Sequence, residues 1–353
     1  MKKKVLSIML TAIFTMSVFA GCTSNTSSSS GNTPATPSGP VASTEAKGES
    51  IRYDAKKFIS VFASSPGGGM YNMAAAISPI WDEKVNVTAS IGPGGSYSNF
   101  IAVSKGQADI GFSHQSMHYW AERAEGPFKE KIEGLSTIST LFPATVQAFT
   151  TAKNTSIQNV SDISDKRIGL GPQGSALNIF VLDYLKTIYN VTPETIAANG
   201  GTVSYMSDGD MSSALSDGII DIGFGLGTYP KSSIQEIENS PGVRLIPFGD
   251  DLQKYLDINK GWDNFTIPAN TYAGQTKEYP TVTSWAVMTV SDSMDEELVY
   301  RLTKAFWENR DKAAESCFEI KEFMKLETAT AAMGGAPLHP GAARYYKEVG
   351  IIK

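Results

Sequence analysis

The chain predicts an α/β protein of two lobes joined by a hinge, with a ligand cleft between them. Three observations carry this. Strand, glycine-rich loop and helix follow one another repeatedly, the signature of a largely parallel sheet. The octet Gly-Pro-x-Gly-Ser-x-x-Asn is written twice, as GPGGSYSN from Gly92 and as GPQGSALN from Gly171. The segment VSKGQADIGF from Val103 returns as LSDGIIDIGF from Leu215. The two echoes are separated by unequal distances, which excludes a solenoid of fixed period and fits two similar lobes.

The elements follow in order. KFISVFAS, Lys57 to Ser64, alternates as a strand before SSPGGG breaks it. Met70, Met73, Ile77 and Trp81 then recur at helical spacing. VNVTASI is a second strand, the first octet a turn, and Tyr97, Phe100, Ile101 and Ser104 share one helix face. ADIGF closes the unit as a short buried strand. After an apolar stretch from Thr145 to Thr151 the scheme restarts. Lys166 to Leu170 is a strand, and Leu177, Phe180, Val181, Tyr184, Leu185 and Ile188 trace a helix stripe behind the second octet. The last third predicts a strand from Thr283 to Val290 and helices over 295–316 and 318–333. With chain crossings near 147 and 281, one lobe takes 51–146 plus 281–353 and the other 147–280.

The first residues read as an address. Lys2, Lys3 and Lys4 precede an apolar run from Val5 to Ala20, too short for a bilayer span. It ends Phe19-Ala20-Gly21-Cys22, similar to a bacterial lipobox in which Cys22 would carry lipid. Residues 1–21 are then a lipoprotein signal peptide. Residues 22–50, rich in Ser, Thr, Gly, Pro and Asn, predict a disordered tether. Its reach is roughly 30 Å for about 28 residues. The expected location is extracytoplasmic, anchored to the cell membrane. Without the three signal lysines, 27 of the 30 basic residues stand against 36 acidic ones, a balance that disfavours nucleic acid and anionic membrane faces. Cys317 is the one further cysteine, read as a buried thiol in a helix; no disulfide framework or cysteine metal cluster is available.

Three loops have ligand-binding chemistry: SPGGGMY from Ser65 and the two octets. Ligands of open α/β sheets bind beyond the carboxyl ends of the strands. There the first turn of each helix offers unpartnered N–H groups and the positive end of its dipole. Glycine permits close backbone approach, and serine caps or donates. Together the loops suit a carboxylate or phosphate. No Gly-Lys-Ser/Thr completes a P-loop, and no Gly-x-Gly-x-x-Gly has its acidic partner. The arginines all lie outside these loops, so charge neutralisation is assigned to helix N-termini and hydroxyls. HQSMH, with His114 and His118, lacks the Glu of a zinc-protease motif, and Gly-x-Ser-x-Gly is absent. His114 is read either as a hydrogen-bonding group in the cleft or as a satisfied core histidine.

In their order these segments resemble the TAXI family of solute receptors, the extracytoplasmic binding subunits of TRAP transporters. The resemblance runs from about Ile51 to Lys353. It is carried by SSPGGGMYNMAAAI, IGPGGSYSNFIAVSKGQADIGF, SDISDKRIGLGPQGSALN, ALSDGIIDIGFGLGTYP, TIPANTYAG and PLHPGAARYYKEVG. It implies a type II periplasmic-binding fold that closes on small organic acids such as glutamate or a related carboxylate. It also implies delivery to a TRAP permease driven by an ion gradient. Carried over by motif, the ligand-binding residues would be Gly68, Gly69 and Tyr71; Gly95, Ser96 and Asn99; His114 and Gln115; Gln173, Gly174 and Ser175; and Gly227 and Thr228. Family members often have glutamine where this chain has His114 and aspartate where it has Ser116, and Gly-Thr-Gly-Gly where this chain reads Ser64-Ser65-Pro66-Gly67. Losing the aspartate removes a partner for a ligand ammonium group, which favours a plain carboxylate over an α-amino acid. The expectation is a monomeric, non-enzymatic receptor without cofactor or metal. The alternatives are the binding lipoprotein of an ABC importer or of a sensor kinase system, and an enzyme on the same scaffold.

Overall fold

The computed structural model describes residues 51–239 and 241–353; the signal run, Cys22 and the tether lie outside them. The first half of the described chain runs β1 (Lys57–Phe62), α1 (Gly69–Val85), β2 (Val87–Gly92), α2 (Ser96–Ser104), β3 (Ile110–His114) and α3 (Gln115–Arg123). A long strand β4 (Leu135–Thr151) leads into the second half. There follow β5 (Arg167–Leu170), α4 (Ala176–Tyr189), α5 (Pro193–Ala198), β6 (Thr202–Tyr205), α6 (Asp208–Ser216) and β7 (Ile222–Gly227). Then come α7 (Ser232–Glu238), β8 (Val243–Leu245), α8 (Asp251–Ile258) and β9 (Asp263–Ile267). The chain ends with β10 (Tyr279–Ser291), α9 (Glu296–Glu308), α10 (Arg310–Ala314), α11 (Phe318–Phe323) and α12 (Pro340–Glu348).

The strands run in the order β2-β1-β3-β10-β4-β7-β5-β6, with β8 beside β4 and β9 beside β10. Each half has the same sub-order. β1 lies parallel between β2 and β3, and β5 lies parallel between β6 and β7. The fold is thus mixed α/β with two lobes, as expected. The sheet is parallel only at its two ends. Its centre is antiparallel, because β10 runs against β3 and β4, and β4 runs against β7.

The echoed aspartate has one mechanical task in both halves. Asp109 accepts the Ser60 N–H at 2.7 Å, and Asp221 accepts the Arg167 N–H at 2.9 Å. Each carboxylate therefore pins the start of the third strand of its half to the first. Arg167 adds two guanidinium bonds to Asp221, which hold that carboxyl below its ordinary range.

One core packs α1, α9 and α12 against β1, β3 and β10, with Trp81, Phe112, Phe306 and Tyr346 buried in it. A second joins α2 and α3 to α4 and α8, through Phe100, Trp120, Phe180, Tyr255 and Trp262. The rings of Trp120 and Trp262 stand 6.4 Å apart.

The helix expected over 295–316 is broken in two at Asn309. The one expected over 318–333 stops at Phe323. Arg310 donates to the carbonyls of Ile320, Lys321 and Met324, satisfying the end of α11. The chain beyond is held against β4 instead, by Thr140 N–H to the Ala329 carbonyl at 2.8 Å and Thr137 N–H to the Pro337 carbonyl at 2.9 Å. Cys317 is buried as expected, but it sits at the N-cap of α11 rather than within a helix.

Candidate ligand cavity

The carboxyl ends of the strands surround a cavity of about 540 Å³. Its walls are the loop β1–α1 (including Ser64, Gly68 and Gly69), the turn β2–α2 (Gly94 to Ser96) and His114 at the end of β3. The second half contributes Gly171, Pro172 and Ser175 before α4, Ser207 and Asp208 at α6, and Gly227, Thr228 and Lys231 after β7. Phe142, Leu226, Cys317 and Glu319 complete it. The arrangement follows from the topology, since every parallel strand hands over to a helix on this side.

The two octets touch. Tyr97 N–H donates to the Gly174 carbonyl at 3.1 Å. A Cβ on Gly95 would come within 3.0 Å of the same oxygen. The turns face each other, but nothing fits between Gly95 and Gly174, and the hollow lies beside that contact. Gly174 and Gln173 therefore do not line it: the carbonyl of Gly174 is engaged on the opposite turn, and Gln173 is exposed.

Two further expected residues turn away. Tyr71 is half-buried against the first core, and its N–H donates to Ser64 Oγ at 3.1 Å. Gln115 Nε2 donates to Asp263 Oδ2 at 2.6 Å, outside the cavity. Gly68, Gly69, Gly95, Ser96, Asn99, His114, Ser175, Gly227 and Thr228 are brought together on the cavity wall. Asn99 stands there with its donor end already spent, because Nδ2 reaches the carbonyls of Phe62, Ala63 and Phe112 at 3.2, 2.9 and 2.8 Å.

His114 is 4 % exposed and shares a 2.7 Å hydrogen bond with Ser96 Oγ through Nδ1. Burial pulls its pKa down to about 3, so the ring is neutral at physiological pH. His118 lies behind it, bonded through Nε2 to Thr289 Oγ1 at 2.8 Å, and burial lowers its pKa to about 3 as well. His114 is thus buried, hydrogen-bonded to Ser96 and on the cavity wall.

Charge enters where glycine does not point. Lys231 Nζ pairs with Asp208 Oδ2 at 2.7 Å, with the lysine side chain 10 % exposed. A second bond from Nζ reaches the Leu226 carbonyl at 3.5 Å. This cation was not among the expected site residues, and it stands on the wall already paired. Glu319, at the start of α11, lies against the first turn of α1; a Cβ on Gly69 would meet its Oε1 at 2.6 Å. Asp208 opens α6 in a strand-to-helix turn without the octet's pattern. Lys231 follows the quoted TYP segment directly, so position after a β7-like strand end was the available signal for it. For Glu319 no local signal exists, since it arrives from the far end of the sequence.

Among solved structures the chain is similar to an ancestral arginine-binding protein bound to arginine (15 % identity, covering 74 % of this chain and 99 % of that one, TM-score 0.43). It is similar also to the substrate binding protein of an amino acid ABC transporter (12 %, 76 % and 99 %, TM-score 0.44). A third is the periplasmic aliphatic sulphonate binding protein SsuA from Escherichia coli (12 %, 83 % and 84 %, TM-score 0.41). At such distances no ligand passes from them to this protein. The sequence itself matches one family model over residues 61–350, nearly the whole of the described body, and the chain belongs to the NMT1-like family.

Proposed function

We propose that this protein is a solute-binding receptor of the periplasmic type, which captures a small carboxylate-bearing solute such as glutamate and delivers it to a membrane permease. The observation that carries the reading is one cavity of about 540 Å³ walled by corresponding turns from both repeats, with Lys231 on its side. The volume falls in the range of small-molecule sites. The first turns of α2 and α4 present N–H groups without intrahelical partners, of which those of Tyr97 and Asn178 are taken by Gly174 and Ser175, and Lys231 stands on the same wall in its ion pair with Asp208. The lobes are 51–146 plus 281–353 and 147–280. The long strands β4 and β10 pair between Leu135 and Thr145 and between Thr283 and Ser291, inside the first of these, and run on past both crossings, where they would flex as the ligand bridges the two.

The TAXI-like segments support a TRAP permease as the partner, and the lipobox-like Phe19 to Cys22 supports a lipid anchor on the outer side of the membrane. A catalytic step is disfavoured by chemistry. Ser96 and His114 are within hydrogen-bond reach, but a histidine whose pKa has fallen to about 3 is a weak general base at neutral pH.

The test is calorimetric. Ser175→Trp fills the hollow from the second octet and is expected to abolish binding of the solute that native mass spectrometry finds on the purified protein, while the thermal transition stays within a few degrees. Undiminished affinity in that variant sinks the site.

A further inference from the structure

We propose that Glu319 selects for a cationic group on the ligand, so that the solute held in this cavity is dipolar rather than purely anionic. The inference rests on the cavity being the ligand site. Three charged side chains line that cavity: Lys231, Asp208 and Glu319. Lys231 and Asp208 are paired at 2.7 Å and cancel. His114 is neutral, its proton affinity removed by burial. That leaves one carboxylate in excess.

Glu319 is placed for recognition. It is half-buried, and its backbone belongs to the short helix α11, whose first residues line the cavity. One carboxylate oxygen stands beside Gly69, where the first turn of α1 is open because that residue has no side chain. The other oxygen accepts from the Cys317 thiol at 3.3 Å. A thiol is a weak donor and leaves acceptor capacity for a stronger one. An ammonium or guanidinium group entering the cavity meets that need with a charge-assisted bond. A second ligand carboxylate at the same position would meet repulsion, since Glu319 already occupies the approach to the α1 amides.

The placement also answers an expectation from the sequence. Ser116 stands where the TAXI resemblance implies an aspartate, an absence that argued against an ammonium group on the ligand. The structure keeps Ser116 fully buried, bonded to Ser284, and brings a different carboxylate into the cavity from α11.

The experiment compares matched amino-acid and 2-oxo-acid pairs, beginning with L-glutamate and 2-oxoglutarate, by calorimetry on wild type, Glu319→Gln and Ser175→Trp. In wild type the amino acid of any pair that binds is expected to bind at least about tenfold tighter. Glu319→Gln is expected to weaken the amino acid about tenfold and to leave the oxo acid unchanged or tighter, removing the preference. A wild-type preference for the oxo acid, or an amino-acid preference that survives Glu319→Gln, overturns the assignment. Ser175→Trp separates the two levels: binding that persists there, or binding of no pair by wild type, counts against the cavity itself, and the assignment falls with it.

Discussion

The two octets are the same sentence folded two ways. In the first, Gly95 is extended at φ −132°, and Ser96 is already the first residue of α2. Its hydroxyl is thereby free to meet His114. In the second, Gly174 turns to φ +76° and Ser175 stays outside α4 as its N-cap, with Oγ accepting the Asn178 N–H at 3.3 Å. The helix starts one residue later, and the same serine changes employment. Only the asparagine keeps its work. Asn99 and Asn178 both turn Nδ2 onto backbone carbonyls of the strand ends and loops around them. The repeat therefore records a shared backbone clamp, while what each half offers to the cavity has diverged.

The clamps are unequal, and that is the strongest way to test the comparison. Asn99 ties three carbonyls at the ends of β1 and β3, whereas Asn178 ties only Gly171 and Pro172 of its own turn, at 2.8 and 2.9 Å. A buried carbonyl left without a donor costs about 1–3 kcal/mol. Asn99→Ala is expected to destabilise by about 3 kcal/mol and Asn178→Ala by about half that, read from urea denaturation. Equal losses would mean that the two clamps are interchangeable and that the first does not hold its strands together.

The strand–turn–helix units and both octets were legible because local pattern and local structure agree there. Met70, Met73, Ile77 and Trp81 all fall on the buried face of α1. β4 was legible only in its last seven residues. Its 17 residues include Ser136, Thr137, Ser139 and Thr140, polar yet buried. Most hydroxyls of these central strands are hydrogen-bonded, as where Gly227 accepts Thr145 and Ala144 accepts Thr283, each at 3.1 Å, while Thr137 Oγ1 is buried without a partner. The alternation of apolar and polar residues then no longer marks inside and outside. The charged part of the cavity was hidden for another reason. Glycine and hydroxyl announce close backbone approach from their own loops. Lys231, Asp208 and Glu319 act through long side chains whose destinations are set by the packing of distant elements.

Glycine gives the second test. Gly174 has open space around a would-be Cβ but a left-handed backbone, so Gly174→Ala costs the strain of that conformation, about 1–2 kcal/mol. Gly95→Ala meets no such strain at φ −132°, but its methyl must push the Gly174 carbonyl away by a few tenths of an ångström. The expected outcome is a split. The first variant loses stability with little change in affinity, and the second keeps stability while binding weakens because the octets no longer meet. If both variants behave alike in melting and in calorimetry, the turns do not divide their work in this way.

The last test concerns the residue on which the two echoed strands differ most. Aligned on Ile-Gly-Phe, His114 of β3 stands where β7 has Leu226. Burial lowers the pKa of His114 to about 3, against about 6.5 in an unfolded chain. Between those values the unfolded state takes up a proton that the folded state refuses. The contribution to stability is therefore complete above about pH 6.5 and is lost as the pH falls toward 3. The slope approaches about 1.4 kcal/mol per pH unit for each such ring. His118, lowered by the same cause, adds an equal slope. His114→Leu writes the residue of the second repeat into the first, and between pH 6 and pH 4.5 it is expected to remove between about a third and a half of the pH dependence of the denaturation midpoint, since burial lowers His339 too. The carboxylates held below their ordinary range, such as Asp221 beside Arg167, respond at lower pH and leave this window to the histidines. A slope unchanged in His114→Leu would show that the ring titrates in the folded protein, and the neutral Ser96–His114 pair on the cavity wall would have to be abandoned.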